Sequence, residues 1–121
     1  MTYAHVTVEH HDGEHVVIAV HGDIDLNNTG VLGEEILTAL PNTTVGAVLD
    51  LSDVTYLDSA GIRLLFELAS TTRGHRQALR IVVPPWSLTR EVLGHVALDS
   101  AVPIDPDAAS ALTRMQESSR A

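Results

Sequence analysis

The chain has 121 residues, 45 % of them apolar, which suits one folded domain of ordinary size and is too apolar for a disordered segment. It has no cysteine, which excludes disulfides, thiolate metal sites and cysteine nucleophiles, and no apolar run approaches the roughly 18 residues of a membrane span. The net charge is −9 with no lysine, and ten acidic residues precede the first arginine, Arg63, which argues against nucleic acid and membrane as partners.

Tyr3 to Glu9 alternates imperfectly and Asp12-Gly13 is a strong turn signal, so the chain is expected to open on a hairpin. The second strand is the continuous apolar run Val16 to Val20, the pattern of a strand covered on both faces. "GDIDLNN" then reads as a polar loop, and Asn27 or Asn28 as the N-cap of a helix from about Thr29 to Leu40. Leu32, Ile36, Ala39 and Leu40 form its core face, Gly30 and Gly33 weaken its start, and Pro41-Asn42 stops it. A third apolar strand is predicted around Ala47 to Leu51, and the strongest helix from Ser59 to about Arg73-Gly74. "LRIVV" (Leu79 to Val83) makes a fourth strand closed by Pro84-Pro85.

Ser87 caps a short helix to about Leu93, ended by Gly94, and Val102 to Ile104 is a short fifth strand. Asp107 caps a last helix to roughly Glu117, with Ala108, Ala111, Leu112 and Met115 inward. A hairpin followed by alternating helices and strands predicts one α/β domain across residues 1–121, with its core at about 3–117. Its sheet is mixed, of four or five strands, with about four helices and right-handed crossovers. The N-terminus lacks the basic start and apolar centre of a signal peptide, which makes a cytoplasmic protein the expectation.

The junction "YLDSAGIRLL" carries the chemistry. On a wheel, Ile62, Leu65, Phe66 and Ala69 share an arc of about 100°, while Leu64 and Leu68 widen the apolar face to roughly 200°. Either a neighbouring helix or a partner covers that extra width. The helix start is thereby pinned, with free N–H groups in its first turn that Asp58 or Ser59 can cap. A capping box is absent, because Gly61 and Ile62 stand where Glu or Gln would close it. Ala60 and Gly61 keep the surroundings of the Ser59 hydroxyl low, so bulk at Gly61 is expected to block a partner and spare the fold. A phosphate on Ser59 would be tolerated by the helix start, yet would add charge beside Asp58, Asp23 and Asp25.

The run "VLDLSDVTYLDSAGIRLLFEL", with "HGDIDLNNTGVL" before it and "LRIVVPPWSLTREVL" after it, resembles the STAS domain of bacterial anti-sigma factor antagonists over nearly the whole chain. The resemblance implies a phosphorylatable serine at Ser59, modified by an anti-sigma factor that is also a serine kinase and reset by a PP2C-type phosphatase. The unphosphorylated form would bind the anti-sigma factor and release a sigma factor. The partner surface would comprise Asp23, Asp25, Asn27, Asn28, Asp58, Ala60, Gly61 and Arg63. The chain departs from the family where a second hydroxyl often follows the serine, because Ala60 stands there. Other STAS domains serve as adaptors in stress-signalling assemblies, transporters and lipid-trafficking systems, so a constitutive or ligand-sensing adaptor is the alternative. No cofactor is expected, and the sequence leaves the oligomeric state open, with a weak homodimer among the options.

Three weaker patterns point to chemistry. His10, His11, Glu14 and His15 have metal-ligand chemistry, but His10 and His11 point to opposite sides of a strand and a turn intervenes. His21, Asp23 and Ser59 have the residue types of a hydrolytic triad without a nucleophile-elbow motif. A P-loop is impossible without lysine. The chain reads as a binding protein rather than an enzyme.

Overall fold

Alternate side chains of three neighbouring strands go to opposite faces of one sheet, and both faces are covered. In the computed structural model, which describes residues 4–119, these are β2 (His15–Ile24), β3 (Gly46–Leu57) and β4 (Ala78–Val82). Val16, Ile18, Val20, Ala47, Leu49, Leu51, Leu79 and Ile81 join the larger apolar core. Val17, Val48 and Val82 face a smaller one. This two-sided burial is why the three runs lack polar alternation.

An edge strand, β1 (Ala4–His11), pairs antiparallel with β2, and β3, β4 and β5 (Ile104–Asp105) follow in parallel. The spatial order β1-β2-β3-β4-β5 is the order of the chain. The helices are α1 (Thr29–Thr38), α2 (Ser59–Gly74), α3 (Leu88–His95) and α4 (Ala108–Ser119), with a 3-10 turn at Leu98–Ser100. Helices α1 and α2 contribute Leu32, Ile36, Leu64, Leu65 and Leu68 to the larger core, while Ala111 and Met115 of α4 close the smaller one. At about 1.5–3 kcal/mol for each fully buried aliphatic side chain, these layers dominate the stability of the fold.

The hairpin is present, although Tyr3 lies outside the described residues. Asp12 (φ 48°) and Gly13 (φ 78°) take the left-handed conformation that the tight turn requires. Several boundaries differ from the sequence reading. Strand β2 runs on past Val20 through Gly22 and Asp23 to Ile24, and β3 runs on past Leu51 to Leu57. The two stay paired because β3 bulges twice, with one extra residue between Ala19 and His21 and another between Gly22 and Asp23. Gly22 at φ 103° absorbs the distortion.

The short fifth strand falls at Ile104–Asp105, since Pro103 has no N–H to donate and the Val102 N–H goes to the Leu98 carbonyl. Helix α1 stops at Thr38, α3 includes Gly94, and β4 begins at Ala78. Gly33, which weakens α1 as an isolated helix, lets it approach α2: a Cβ there would stand 3.1 Å from Leu64 Cδ1. Leu64 and Leu68 are buried, so the neighbouring helix covers the wide apolar face of α2, whereas Ile62 and Phe66 are only half-buried.

Helix α4 is tied down by polar contacts as well. Asp105 is fully buried and accepts from Arg80 Nε (2.7 Å) and Nη2 (3.1 Å), and from Arg114 Nη1. Burial pushes its carboxyl up, but these hydrogen bonds and the two guanidinium charges outweigh that and hold it below the usual 3.8. Two residues after Arg114, Gln116 Nε2 donates to Asp12 Oδ2 (3.0 Å).

Candidate partner-binding site

Strands β2 and β3 end side by side at Ile24 and Leu57, so the segments that follow them emerge at one end of the sheet. After Ile24 come only four residues before α1, and after Leu57 only Asp58 before α2. The polar loop is therefore Asp25 to Asn28, shorter than "GDIDLNN", and Asp23 is a strand residue opposite Tyr56.

The loop is cross-tied by its own side chains. Asp25 Oδ1 accepts from the Asn27 N–H (2.9 Å) and Asn28 Oδ1 from the Asp25 N–H (3.0 Å). Asn28 Nδ2 donates to the Asp23 carbonyl (2.8 Å). Asn28 thus occupies the N-cap position of α1 without a side-chain cap bond, because its amide holds the loop instead. Asp23 Oδ1 accepts from Thr55 Oγ1 (2.5 Å) across the bulged strands.

Asp58 joins this loop to α2. Its Oδ1 accepts from the Gly61 N–H (3.0 Å), which caps the helix, and its Oδ2 accepts from the Leu26 N–H (3.1 Å). The Asp58 N–H donates to the Ile24 carbonyl (3.2 Å). One carboxylate therefore fixes both the helix start and the loop tip. Because Asp58 takes the cap, Ser59 is the first helical residue, is exposed, and has a hydroxyl with no hydrogen-bond partner among the described residues. Arg63 is exposed one turn further along the same face. A hollow of about 240 Å³ separates Leu26, Thr29 and Gly30 from Ala60 and Arg63.

Asp25, Asn27, Asn28, Asp58, Ala60 and Arg63 thus lie with Ser59 in the loop and helix start at one end of the sheet, whereas the Asp23 side chain is held by Thr55 within the strands. Gly61 does not present a surface there. It is buried, and a Cβ on it would overlap Leu57 Cδ1 and stand 3.0 Å from Ile24 Cγ2, so bulk at this position disrupts packing before it meets a partner. Its contribution is the N–H that Asp58 caps.

The sequence reading passed over Leu26, which is 75 % exposed at the loop tip. An apolar residue alone in a polar loop was the available signal. Tyr56 near the end of β3 is exposed, as are Trp86 and Leu88 in the segment that follows β4.

The triad residues do not converge. His21 Nδ1 lies 2.7 Å from Asp53 Oδ2, its Nε2 lies 2.9 Å from Thr7 Oγ1, and its ring stacks on His5. In the hairpin, His15 is buried with Nδ1 2.8 Å from Asp12 Oδ1, which holds the Asp12 carboxyl below its usual range, and His11 Nε2 lies 3.3 Å from Glu9. Among the described residues no three metal-ligating side chains cluster, and no helix is long and apolar enough to cross a membrane.

The family model described as "Mlab, STAS domain" matches residues 7–104, which spans both the loop and the helix start. The chain belongs to the STAS-domain family. This STAS chain is 34 % identical over 95 residues to the anti-sigma-F factor antagonist RsfB of Mycobacterium tuberculosis, covering 78 % of this chain and 75 % of that one. It also aligns with the crystal structure of an anti-sigma factor antagonist from Mycobacterium paratuberculosis. There the TM-score is 0.81 at 29 % identity, over 94 % of this chain and 95 % of that one. The anti-sigma factor antagonist SpoIIAA shares the fold at 18 % identity. Its unphosphorylated form aligns with a TM-score of 0.74, covering 93 % of this chain and 97 % of that one. Its phosphorylated form, from Bacillus, aligns at 0.67, covering 91 % and 98 %.

Proposed function

We propose that this chain is an anti-sigma factor antagonist whose partner is an anti-sigma factor with serine kinase activity, and that Ser59 is the phosphorylated residue. The observation that carries the reading is the division of labour at the helix start. Asp58 supplies the cap, which leaves the Ser59 hydroxyl exposed on a rigid element with nothing to hold it back. The names of the relatives support the partner class.

The sheet topology favours a macromolecular partner. Ligand crevices of open α/β sheets form where the strand order reverses, and the parallel strands here run β2-β3-β4-β5 without reversal. The strand ends thus carry a surface rather than a cleft. A phosphate on Ser59 adds nearly two negative charges. The first turn of α2 accepts them, helped by Arg63, so the helix keeps its shape while the surface around Asp25 and Asp58 becomes strongly anionic. A partner that desolvates that charge without compensation loses roughly 2–5 kcal/mol, enough for release. A PP2C-type phosphatase would restore binding.

Capture of partners from native lysate, followed by incubation of the complex with ATP and mapping of the modified residue, tests the reading. We expect an anti-sigma factor in the complex and label on Ser59. Label on Ser52, Thr55 or Thr71 with none on Ser59 would overturn the site, and a complex holding no sigma-factor regulator would favour an adaptor role.

A further inference from the structure

Strand β1 and helix α1 leave a groove open between them. It has a volume of about 640 Å³ and an apolar floor of Val6, Val8, Ala39 and Pro41. Val8 is 40 % exposed although it shares the α1-facing side of the strand with half-buried Val6, and Val31 on the rim of α1 is 62 % exposed. The groove exists because α1 is a short helix against an edge strand that has no strand on its other side among the described residues. By the rise of the two elements, Val31 to Thr38 spans roughly 10 Å and Val6 to His10 roughly 13 Å, about two turns of a further helix.

The rim carries Glu34 and Glu35, both exposed and in no ion pair among the described residues. Helix α1 has no basic residue in its last turn, where Glu35 adds negative charge to the negative end of the helix dipole. The fold gains nothing from that placement, and it sets up an attraction for a cation from outside. The same charge disfavours a second copy of this chain, which would bring two such rims and two charges of −9 together, and it disfavours an anionic membrane.

We propose that this groove is a second docking surface, for a cationic amphipathic helix of a partner protein. Apolar residues at i, i+3, i+4 and i+7 fill the floor, and Lys or Arg beside them reach Glu34 and Glu35. Val31, Glu35 and Thr38 lie on the opposite flank of α1 from Thr29 and Gly30, which line the hollow beside Ser59. Occupation of the groove is therefore independent of the phosphorylation state, and this STAS domain can hold one partner permanently while it exchanges another.

The probe is a stapled helical peptide of about 14 residues with that leucine spacing and flanking lysines. A scrambled peptide of the same composition and a version with Glu for Lys serve as controls, and amide resonances and fluorescence anisotropy are the readouts. We expect saturable shifts confined to residues 6–10 and 31–41, and at least about tenfold tighter binding than the scrambled peptide. The pair Glu34→Gln and Glu35→Gln should lose about tenfold, Val8→Ser a similar factor, and Ser59→Asp nothing. The glutamines are surface changes, so they decide the matter if Val8→Ser misfolds. Equal binding of the scrambled or Glu-bearing peptide would overturn the proposal. So would shifts centred on residues 23–28 and 58–63, or a dimer of this chain formed through the groove.

Discussion

Asp58→Ala removes two hydrogen bonds that one carboxylate makes, and Asp58→Asn separates them. The cap to the Gly61 N–H is worth about 1 kcal/mol by the usual cost of replacing Asp at an N-cap with Ala. The bond to the Leu26 N–H is more exposed and adds about 0.5–1.5 kcal/mol. The alanine variant should thus lose about 2 kcal/mol, seen as a lower urea midpoint with an unchanged slope and a Tm lower by roughly 5–10 °C. Asparagine keeps one carbonyl oxygen, enough for the cap, and offers an amide N–H₂ to the Leu26 N–H, which cannot accept it. Its loss should be about half. Amide exchange reads the two bonds separately: the asparagine variant keeps the Gly61 N–H protected and releases that of Leu26, whereas the alanine variant releases both. Partner affinity should fall in both variants, because the loop tip is no longer held. Equal stability of the two variants, or unchanged exchange at Leu26 in both, would refute the idea that this side chain joins loop and helix.

Ser59→Ala and Ser59→Asp should each stay within about 0.5 kcal/mol of the wild type in urea unfolding, since neither removes the cap. Calorimetry with the partner should give undiminished affinity for the alanine and weaker binding for the aspartate, though less weak than for a true phosphate. Gly61→Ala should cost up to about 2 kcal/mol, as overlap with Leu57 outweighs the roughly 1 kcal/mol of helix propensity gained, and Gly61→Trp should leave no cooperative unfolding transition. Because the folded Asp105 carboxyl sits below 3.8, its contribution is complete above about pH 4 and is lost as the pH falls through its folded value. Asp105→Asn should therefore be less stable at pH 7 and flatter in its acid limb, as followed by circular dichroism. Asp12→Ala should lower stability through its lost bonds to His15 and Gln116 and leave partner affinity unchanged.

The parts of the fold that were legible in the sequence are those governed by local chemistry. Helix α2 runs from Ser59 to Gly74 because a capping aspartate and an apolar stripe agree, although the left-handed position just past its end is taken by Arg76 and not by the glycine. The ends of β2 and β3 were hidden, since bulged pairing lets polar, solvent-facing residues such as Asp23, Ser52 and Asp53 continue a strand. Asp58 and Ser59 were both plausible caps from sequence, and the bond from the Gly61 N–H to Asp58 Oδ1 decides between them. Gly61 and Gly33 looked like concessions in helices. Their reason is close approach, to Leu57 in one case and Leu64 in the other, which no local pattern encodes. The groove beside β1 was equally silent, because it depends on where α1 lies and not on any residue in it.

Strand order that follows chain order has a consequence for how the molecule is made. No strand has to be threaded between two that are already paired. The hairpin can close first, and each later strand adds to the edge left by its predecessor, while α1 and α2 roof the growing sheet. During synthesis the sheet has two edges, the outer side of β1 and the newest strand, and only the newest strand still awaits a native partner. Helix α4 comes last, and its contacts reach back to the turn at Asp12 as well as to β4 and β5. Its docking should therefore report the completion of the whole domain, and a ribosome-bound chain arrested before residue 108 should show the sheet without its second covered face.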